Sequence, residues 1–256
     1  MALYKTPEEI RILKQGGQIL ARVRDAVAAM ARPGITTQEL EDRARELIRK
    51  TGARPAFLGY RGSAADGPEY PAALCLSVND RVVHCAPGGN VLNEGDIVSI
   101  DIGVEYKGLY TDSAVTVPVG EIGGEARKLL EFTKKALYAG IAQTRVGNTI
   151  GDVAHAIQSV GEKAGLGVIR ELVGHGVGHA VHEKPDVPNY GKPGTLDKLK
   201  QGMVLAIEPM FTLGDGRVVF ENDGWTVSTR DGSLAAHFEH TVAITEKGAE
   251  VLTGEI

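Results

Sequence analysis

Cysteine is almost missing from this chain: Cys75 and Cys85 are the only two in 256 residues. They cannot build a disulfide framework, and their spacing is not that of a zinc knuckle, so a reducing compartment is expected. Positive charge is not in excess either. A formal net charge of -5 leaves no basic footprint for nucleic acid, and no DNA partner is expected. No apolar run approaches the roughly 18 residues that a membrane-crossing helix needs. The opening residues, MALYKTPEEIRILK, carry charge from Lys5 onward and have no apolar core, unlike a secretory signal. A soluble, cytoplasmic protein with no membrane partner is the reading that remains. Low-complexity linkers are missing too, as is any glycine loop opening a helix of the kind that cradles phosphate. What is present, 43% hydrophobic residues, suffices for an ordinary core.

The most informative stretch runs from Asp96 to Val117, DIVSIDIGVEYKGLYTDSAVTV. Its apolar runs predict two strands joined by a turn at Lys107-Gly108, with Asp101 in one and Asp112 in the other. A single aspartate inside an apolar strand is ordinarily a structural carboxylate bonded to a turn. Two on neighbouring strands repel and lose solvation unless protons or cations compensate them. The pair therefore reads as half of a metal site.

Helices and strands surround it in a repeating order. Thr6-Pro7-Glu8-Glu9 is a helix start: a capping hydroxyl, proline in the first turn, and acids at the positive end of the dipole. Apolar residues from Ile10 to Met30 then recur at helical spacing until Pro33-Gly34 stops the helix. Thr36-x-x-Glu39 is a capping box for a second helix ending at Gly52. Leu74 to Val78 and Val82 to His84 read as short strands around Asn79-Asp80. After the aspartate hairpin come a helix from Glu125 to about Gln143 and another from a Thr149-x-x-Asp152 cap to Gly165. The glycine-rich segment Gly174 to His179 follows, then a loop around Pro185 and Pro188. Three strands close the chain: Met203 to Phe211, Gly224 to Thr229, and His237 to Thr245.

Helices followed by strands thus occur twice, and matching residues keep the same order. Gly34, Thr36, Glu39 and Gly52 answer to Gly147, Thr149, Asp152 and Gly165. His84-x-x-Pro87 resembles His182-x-x-Pro185, Gly95 to Asp101 resembles Gly202 to Glu208, and Asp112 to Val117 resembles Glu239 to Ile244. The halves run over about 1–120 and 121–256 within a single domain, 1–256. Folded around a pseudo-two-fold axis, they would bring Asp101, Asp112, Glu208 and Glu239 together. Four carboxylates carry too much charge for one divalent ion and suit two. Oxygen-rich donors with one or two imidazoles favour Mn(II), Fe(II) or Co(II), with zinc also admitted. Two such ions about 3.5–4 Å apart share a water, lower its pKa and polarise the electrophile beside it. Without a phosphate cradle, amide hydrolysis is the better fit. With four acids so used, the remaining surface is nearly neutral.

The same residues carry a family resemblance. Ser77-Val78-Asn79-Asp80 to His84, Asp101-Ile-Gly, Thr111-Asp112-Ser113, Gly174-His175-Gly176-x-Gly178, His182-Glu-x-Pro185, Ile207-Glu208-Pro209, Asn222-Asp-Gly-Trp225 and Glu239-His240-Thr241 resemble type I methionine aminopeptidase, in order and over nearly the whole chain. The resemblance implies the pita-bread (creatinase/aminopeptidase) fold, an α+β structure of duplicated halves with a curved antiparallel sheet. It also implies a hydrolase that removes the initiator methionine from nascent polypeptide N-termini. That enzyme would prefer a small second residue and use a metal-bridging hydroxide at a dinuclear site. Asp101, Asp112, His175, Glu208 and Glu239 would be the metal ligands. Asp112 and Glu239 would bridge both ions, Asp101 would serve one, and His175 and Glu208 the other. Glu208 would also shuttle the proton, while His84 and His182 would hydrogen-bond the scissile amide and its tetrahedral intermediate. Tyr60, Tyr70, Cys75 and Trp225 would line the methionine pocket, where rings and a soft thiol suit a flexible thioether. Work at the ribosome is a further expectation of the resemblance, and a monomer is the default.

Other histidines read more plainly. His179, four after His175, has the spacing of a helical zinc pair, but Gly176 and Gly178 argue against a helix there. His155 is expected on a helix surface, and His240 on the opposite face of its strand from Glu239. Cys85 is expected to be a small buried residue. The chain departs from the family pattern at Gly62 to Glu69, which add length to the pocket rim, at Cys85-Ala86 and at Val181. A peptidase cleaving before proline is the nearest alternative, but such enzymes usually carry a large N-terminal domain, for which the residues ahead of the first helix leave no room. A catalytically dead scaffold binding peptide or RNA would be expected to have lost ligands that are all present here.

Overall fold

Three helix starts close with the same reciprocal pair of hydrogen bonds. In this computed structural model, which describes residues 3–62 and 68–254, the hydroxyls of Thr6, Thr36 and Thr149 accept from the backbone N–H groups of Glu9, Glu39 and Asp152. Each acid reaches back to accept from its threonine's own N–H. The helices are α1 (Pro7–Ala28), α2 (Thr37–Thr51), α3 (Gly124–Gln143), which has no side-chain cap, and α4 (Ile150–Lys163). α1 ends earlier than its apolar spacing predicts. Met30 and Ala31 bond three residues back rather than four, and the chain must leave helical geometry ahead of Pro33.

The first half continues with β1 (Arg54–Pro55), β2 (Leu74–Val78), β3 (Arg81–Val83), β4 (Ile97–Tyr106) and β5 (Leu109–Pro118). The second half holds β6 (Gly167–Val168), β7 (Val173–Gly176), β8 (Glu183–Pro188), β9 (Val204–Ile207), β10 (Met210–Thr212), β11 (Val218–Phe220), β12 (Val227–Thr229), β13 (Ala235–His237), β14 (His240–Thr245) and β15 (Gly248–Val251). One sheet runs β1-β4-β2 with β5 on the far side of β4, and another runs β15-β14-β9-β7-β8. Two shorter sheets run β13-β10-β6 and β11-β12-β3. Leu20, Leu40 and Ile48 of α1 and α2 pack with Ile100 and Ile102 in the first half. Leu129 and Ile157 of α3 and α4 pack with Leu205, Ile207 and Phe211 in the second.

The backbone carries the duplication as clearly as the side chains do. Gly34 and Gly147 share positive φ values of 89° and 97°, and Gly95 and Gly202 values of 91° and 87°. Thr36 and Thr149 each form an isolated bridge, to Val91 and Lys198. The halves meet where β5 runs antiparallel to the segment leading into β14. The Thr241 hydroxyl accepts from the N–H of Asp112 and donates to its carbonyl, at 2.9 and 2.7 Å. One step further the Glu239 N–H donates to the Ala114 carbonyl at 2.9 Å. Exchanging the halves swaps these two pairs, so Asp112 and Glu239 are related by the local axis.

Three expectations need correction. The loop around Pro185 and Pro188 is strand β8, which tolerates proline because it lies at a sheet edge. Met203 to Phe211 and His237 to Thr245 are not continuous strands. Each breaks at a glutamate: β9 and β10 are parted by Glu208-Pro209, β13 and β14 by Phe238-Glu239. Pro209 has no N–H to give a ladder. β9 pairs with β14 and β10 with β13, so both strands change sheets at the same level. Of the expected rim insertion, residues 63–67 lie outside the described residues. Among the described residues no helix is long and apolar enough to cross a membrane.

α1 lies so close to the C-terminal segment that a Cβ at Gly17 would stand 2.3 Å from the Leu252 carbonyl oxygen. Alanine gains about 1 kcal/mol of helix propensity over glycine, but a backbone carbonyl cannot rotate away. Gly17→Ala is expected to cost about 1–3 kcal/mol net, read as a lower urea midpoint at unchanged slope. An unchanged midpoint would mean that α1 eases away freely.

Candidate metal centre

Asp101 pairs with Ala114 and Asp112 with Gly103, so the two carboxylates are diagonal neighbours on one face of the hairpin. Glu208 and Glu239 enter from the two strand breaks, and His175 from β7, opposite Ala206 of β9. All five residues expected as ligands reach one cavity of about 330 Å³, and His84, His182, Tyr60, Tyr70, Cys75 and Trp225 line it too. Donor atoms of Asp112, His175 and Glu239 lie within 4.8 Å of one another. His175 Nδ1 donates to the Gly176 carbonyl at 2.9 Å, which leaves Nε2 with its lone pair, 3.4 Å from Glu208 Oε1.

Burial makes this cluster electrostatically expensive. Asp101, Asp112 and Glu239 are buried, and one oxygen of each has no hydrogen-bond partner among the described residues. Loss of solvent pushes the Asp101 carboxyl up to about 6 and holds Asp112, Glu208 and Glu239 well above the usual carboxylate range. Repulsion among the carboxylates adds to the rise at Asp112 and Glu239. The same desolvation, with neighbouring imidazoles, lowers His175 to about 3 and His84 to about 4. Crowded acceptors beside neutral imidazoles form a donor set for divalent cations, and these residues fit such ions.

A chelated sample provides a check. The carboxylates' folded pKa values lie above their unfolded ones, so their stabilisation is full at low pH and is lost as pH rises through the folded values. The histidines run the other way, but only as pH falls below their unfolded value of 6.5. Above about pH 6.5 the histidines no longer contribute, so the carboxylates held well above their usual range set the sign, and the metal-free protein is expected to melt lower as the pH rises. Added Mn(II) should restore it most at the alkaline end. A flat profile for the chelated protein would count against the crowding.

The pocket wall follows from short contacts. Tyr60 Oη lies 2.6 Å from His182 Nδ1, and the His182 ring centroid is 4.3 Å from that of His175. Tyr70 donates to the Leu74 carbonyl at 3.0 Å and meets Trp225 edge-on at 5.2 Å. Cys75 on β2 stands opposite Asp101. His84 sits just past β3 at a φ of 60°, a left-handed conformation rare for a non-glycine residue and found disproportionately at functional sites.

Among the other histidines, His155 is exposed, His179 bonds Glu9 Oε1 at 2.7 Å, and His240 Nδ1 meets the Thr253 hydroxyl at 3.0 Å. Cys85 is buried and takes a hydrogen bond from Arg81 at 3.2 Å. His237 is absent from the expected set, yet it lines the cavity, as do Phe57 and Val83. Its sequence signal was its place two residues before Glu239, the spacing that puts extended residues on one face.

The chain matches the model of metallopeptidase family M24 over residues 11–246. It is 46% identical over 253 residues to methionine aminopeptidase 1 of Bacillus subtilis, covering 99% of both chains. It is 50% identical over 250 residues to methionine aminopeptidase of Aquifex aeolicus, covering 96% of both. The crystal structure of methionine aminopeptidase from Thermotoga maritima superposes with a TM-score of 0.94 at 47% identity, covering 100% of both chains. That fold is the duplicated pita-bread architecture expected from the motifs. On the family model and these full-length relatives, the chain belongs to metallopeptidase family M24, grouped with its methionine aminopeptidases.

Proposed function

We propose that this chain is a metal-dependent aminopeptidase that hydrolyses the first peptide bond of chains beginning with methionine, working as one catalytic domain over 1–256. The observation that carries the reading is the buried carboxylate cluster with His175, set at the floor of a cavity walled by Tyr60, Tyr70, Cys75 and Trp225. Asp101, Asp112, His175, Glu208 and Glu239 would hold two divalent ions, with Mn(II), Fe(II) or Co(II) best suited to the donors. Bound there, the ions supply Lewis acidity toward the scissile carbonyl and a water of lowered pKa.

The protein's own groups do the rest. Glu208, a carboxylate of raised proton affinity facing the cavity, takes a proton from the attacking water and passes it to the leaving amine. His84 and His182 hydrogen-bond the amide and the tetrahedral oxyanion. The aromatic wall and Cys75 exclude water and hold the thioether side chain. Substrates are the N-termini of nascent polypeptides with a small second residue, met in the cytoplasm and at the ribosome by a monomeric enzyme.

Release of free methionine from Met-Ala-Ser, after chelation and Mn(II) or Co(II) add-back, tests this. Metal-dependent release from that peptide, with Leu-initiated and Xaa-Pro peptides left intact, is the expected result. Cleavage before proline would replace the reading with the related peptidase activity, and silence with every metal would remove it.

A further inference from the structure

We propose that His237 is a sixth donor of the metal centre, set on the side of Glu208 away from His175; this rests on the metal-dependent reading above. The two imidazoles bracket the Glu208 carboxylate evenly. His175 Nε2 is 3.4 Å from Oε1, and His237 Nε2 is 3.4 Å from Oε2. Neither contact meets the geometry of a hydrogen bond, and both ring nitrogens of His237 are buried without a partner among the described residues. A gap of 3.4 Å has another meaning. Two donors each about 2.1 Å from one ion and about 90–110° apart lie about 3.0–3.4 Å from each other. The spacing that makes His175 and Glu208 neighbours on a metal is therefore met again by His237.

The backbone under this ring is held as firmly as the one under Asp112. The Thr116 hydroxyl accepts from the His237 N–H at 2.9 Å and donates to its carbonyl at 2.8 Å, and Ser99 Oγ lies 2.8 Å from the same hydroxyl. Thr116 is on β5, four residues beyond Asp112, so one strand positions a ligand and this imidazole together. The duplication does not account for the residue. At the register that matches Asp112 with Glu239, His237 falls opposite Tyr110, which does not line the cavity. At this position the second half carries an imidazole where the first carries Tyr110. A neutral imidazole adds no charge to the crowded carboxylates while filling a coordination position, and so favours metals that accept nitrogen over purely oxygen-seeking ones.

Proton NMR of the Co(II)-loaded full chain decides the point, with histidine ring protons identified by ring deuteration. Two sets of strongly hyperfine-shifted imidazole protons are expected in the native protein, one of which His237→Gln removes while lowering Co(II) affinity by at least about tenfold. A single set in the native protein leaves the metal centre standing and overturns His237 as a ligand, reducing it to a neighbour of Glu208; this outcome needs no variant to fold. No shifted set at all would overturn the metal centre and the sixth donor together.

Discussion

Asp112→Asn is expected to cut methionine release by about 10³-fold and to lower the bound divalent metal below that of the native protein, while raising the melting temperature of the chelated form. The three effects share one cause. Asparagine keeps the shape of the residue and the backbone bonds to Thr241, so β5 and the segment before β14 stay joined. What it removes is one of four carboxyl groups crowded in a buried cluster, at a residue whose donor atom stands within 4.8 Å of those of His175 and Glu239. With ions absent, that group contributes only repulsion and the cost of desolvating its ionised form, and its loss relaxes the fold. With ions present, the same carboxylate would be one of the groups proposed to hold them, close to donor atoms of His175 and Glu239. Stability and activity therefore move in opposite directions, as expected where function holds strain in place. Calorimetric melts of the chelated pair, metal analysis and the peptide assay check the three arms. Native-like activity would sink the assignment of Asp112 as a shared ligand. A chelated variant less stable than native would mean that its carboxylate has a structural partner instead.

Much of this centre is legible in the amino-acid sequence. Asp101 and Asp112 stood out because a charge inside an apolar strand is costly, and two such charges on one hairpin need a common explanation. Thr36-x-x-Glu39 and Thr149-x-x-Asp152 marked the repeat because capping boxes are local chemistry, written in four residues and insensitive to tertiary context. The breaks at Glu208 and Glu239 were hidden for the opposite reason. Their flanks read as unbroken apolar runs, and only the transfer of both strands from one sheet to another shows why each must bend there. β8 was hidden because Pro185 and Pro188 speak against a strand until the strand is known to be an edge. His237 escaped notice because one histidine in a strand is usually an ordinary core residue. Its distinction lies in two unpartnered nitrogens, which no pattern of residue types records.

His182→Ala separates binding of ions from catalysis by the protein's own groups. The ring stands at the head of β8, more exposed than the carboxylates, with Nδ1 held 2.6 Å from the Tyr60 hydroxyl and its centroid 4.3 Å from that of His175. The Tyr60 contact orients the ring and leaves Nε2 as the free nitrogen. A group so placed can meet an oxyanion as it forms. Interactions made only in the transition state lower kcat and kcat/KM together when lost. Truncation is therefore expected to reduce kcat by about 10²–10³-fold with KM for Met-Ala-Ser nearly unchanged and full metal content retained. Tyr60→Phe removes only the orienting bond and should cost about tenfold. Loss of metal in His182→Ala would show that the imidazole is a ligand. A rise in KM at constant kcat would show that it binds substrate and transition state alike. The ordering of the two variants is itself diagnostic, because a ring that acted by packing alone would lose as much with the tyrosine hydroxyl intact as without it.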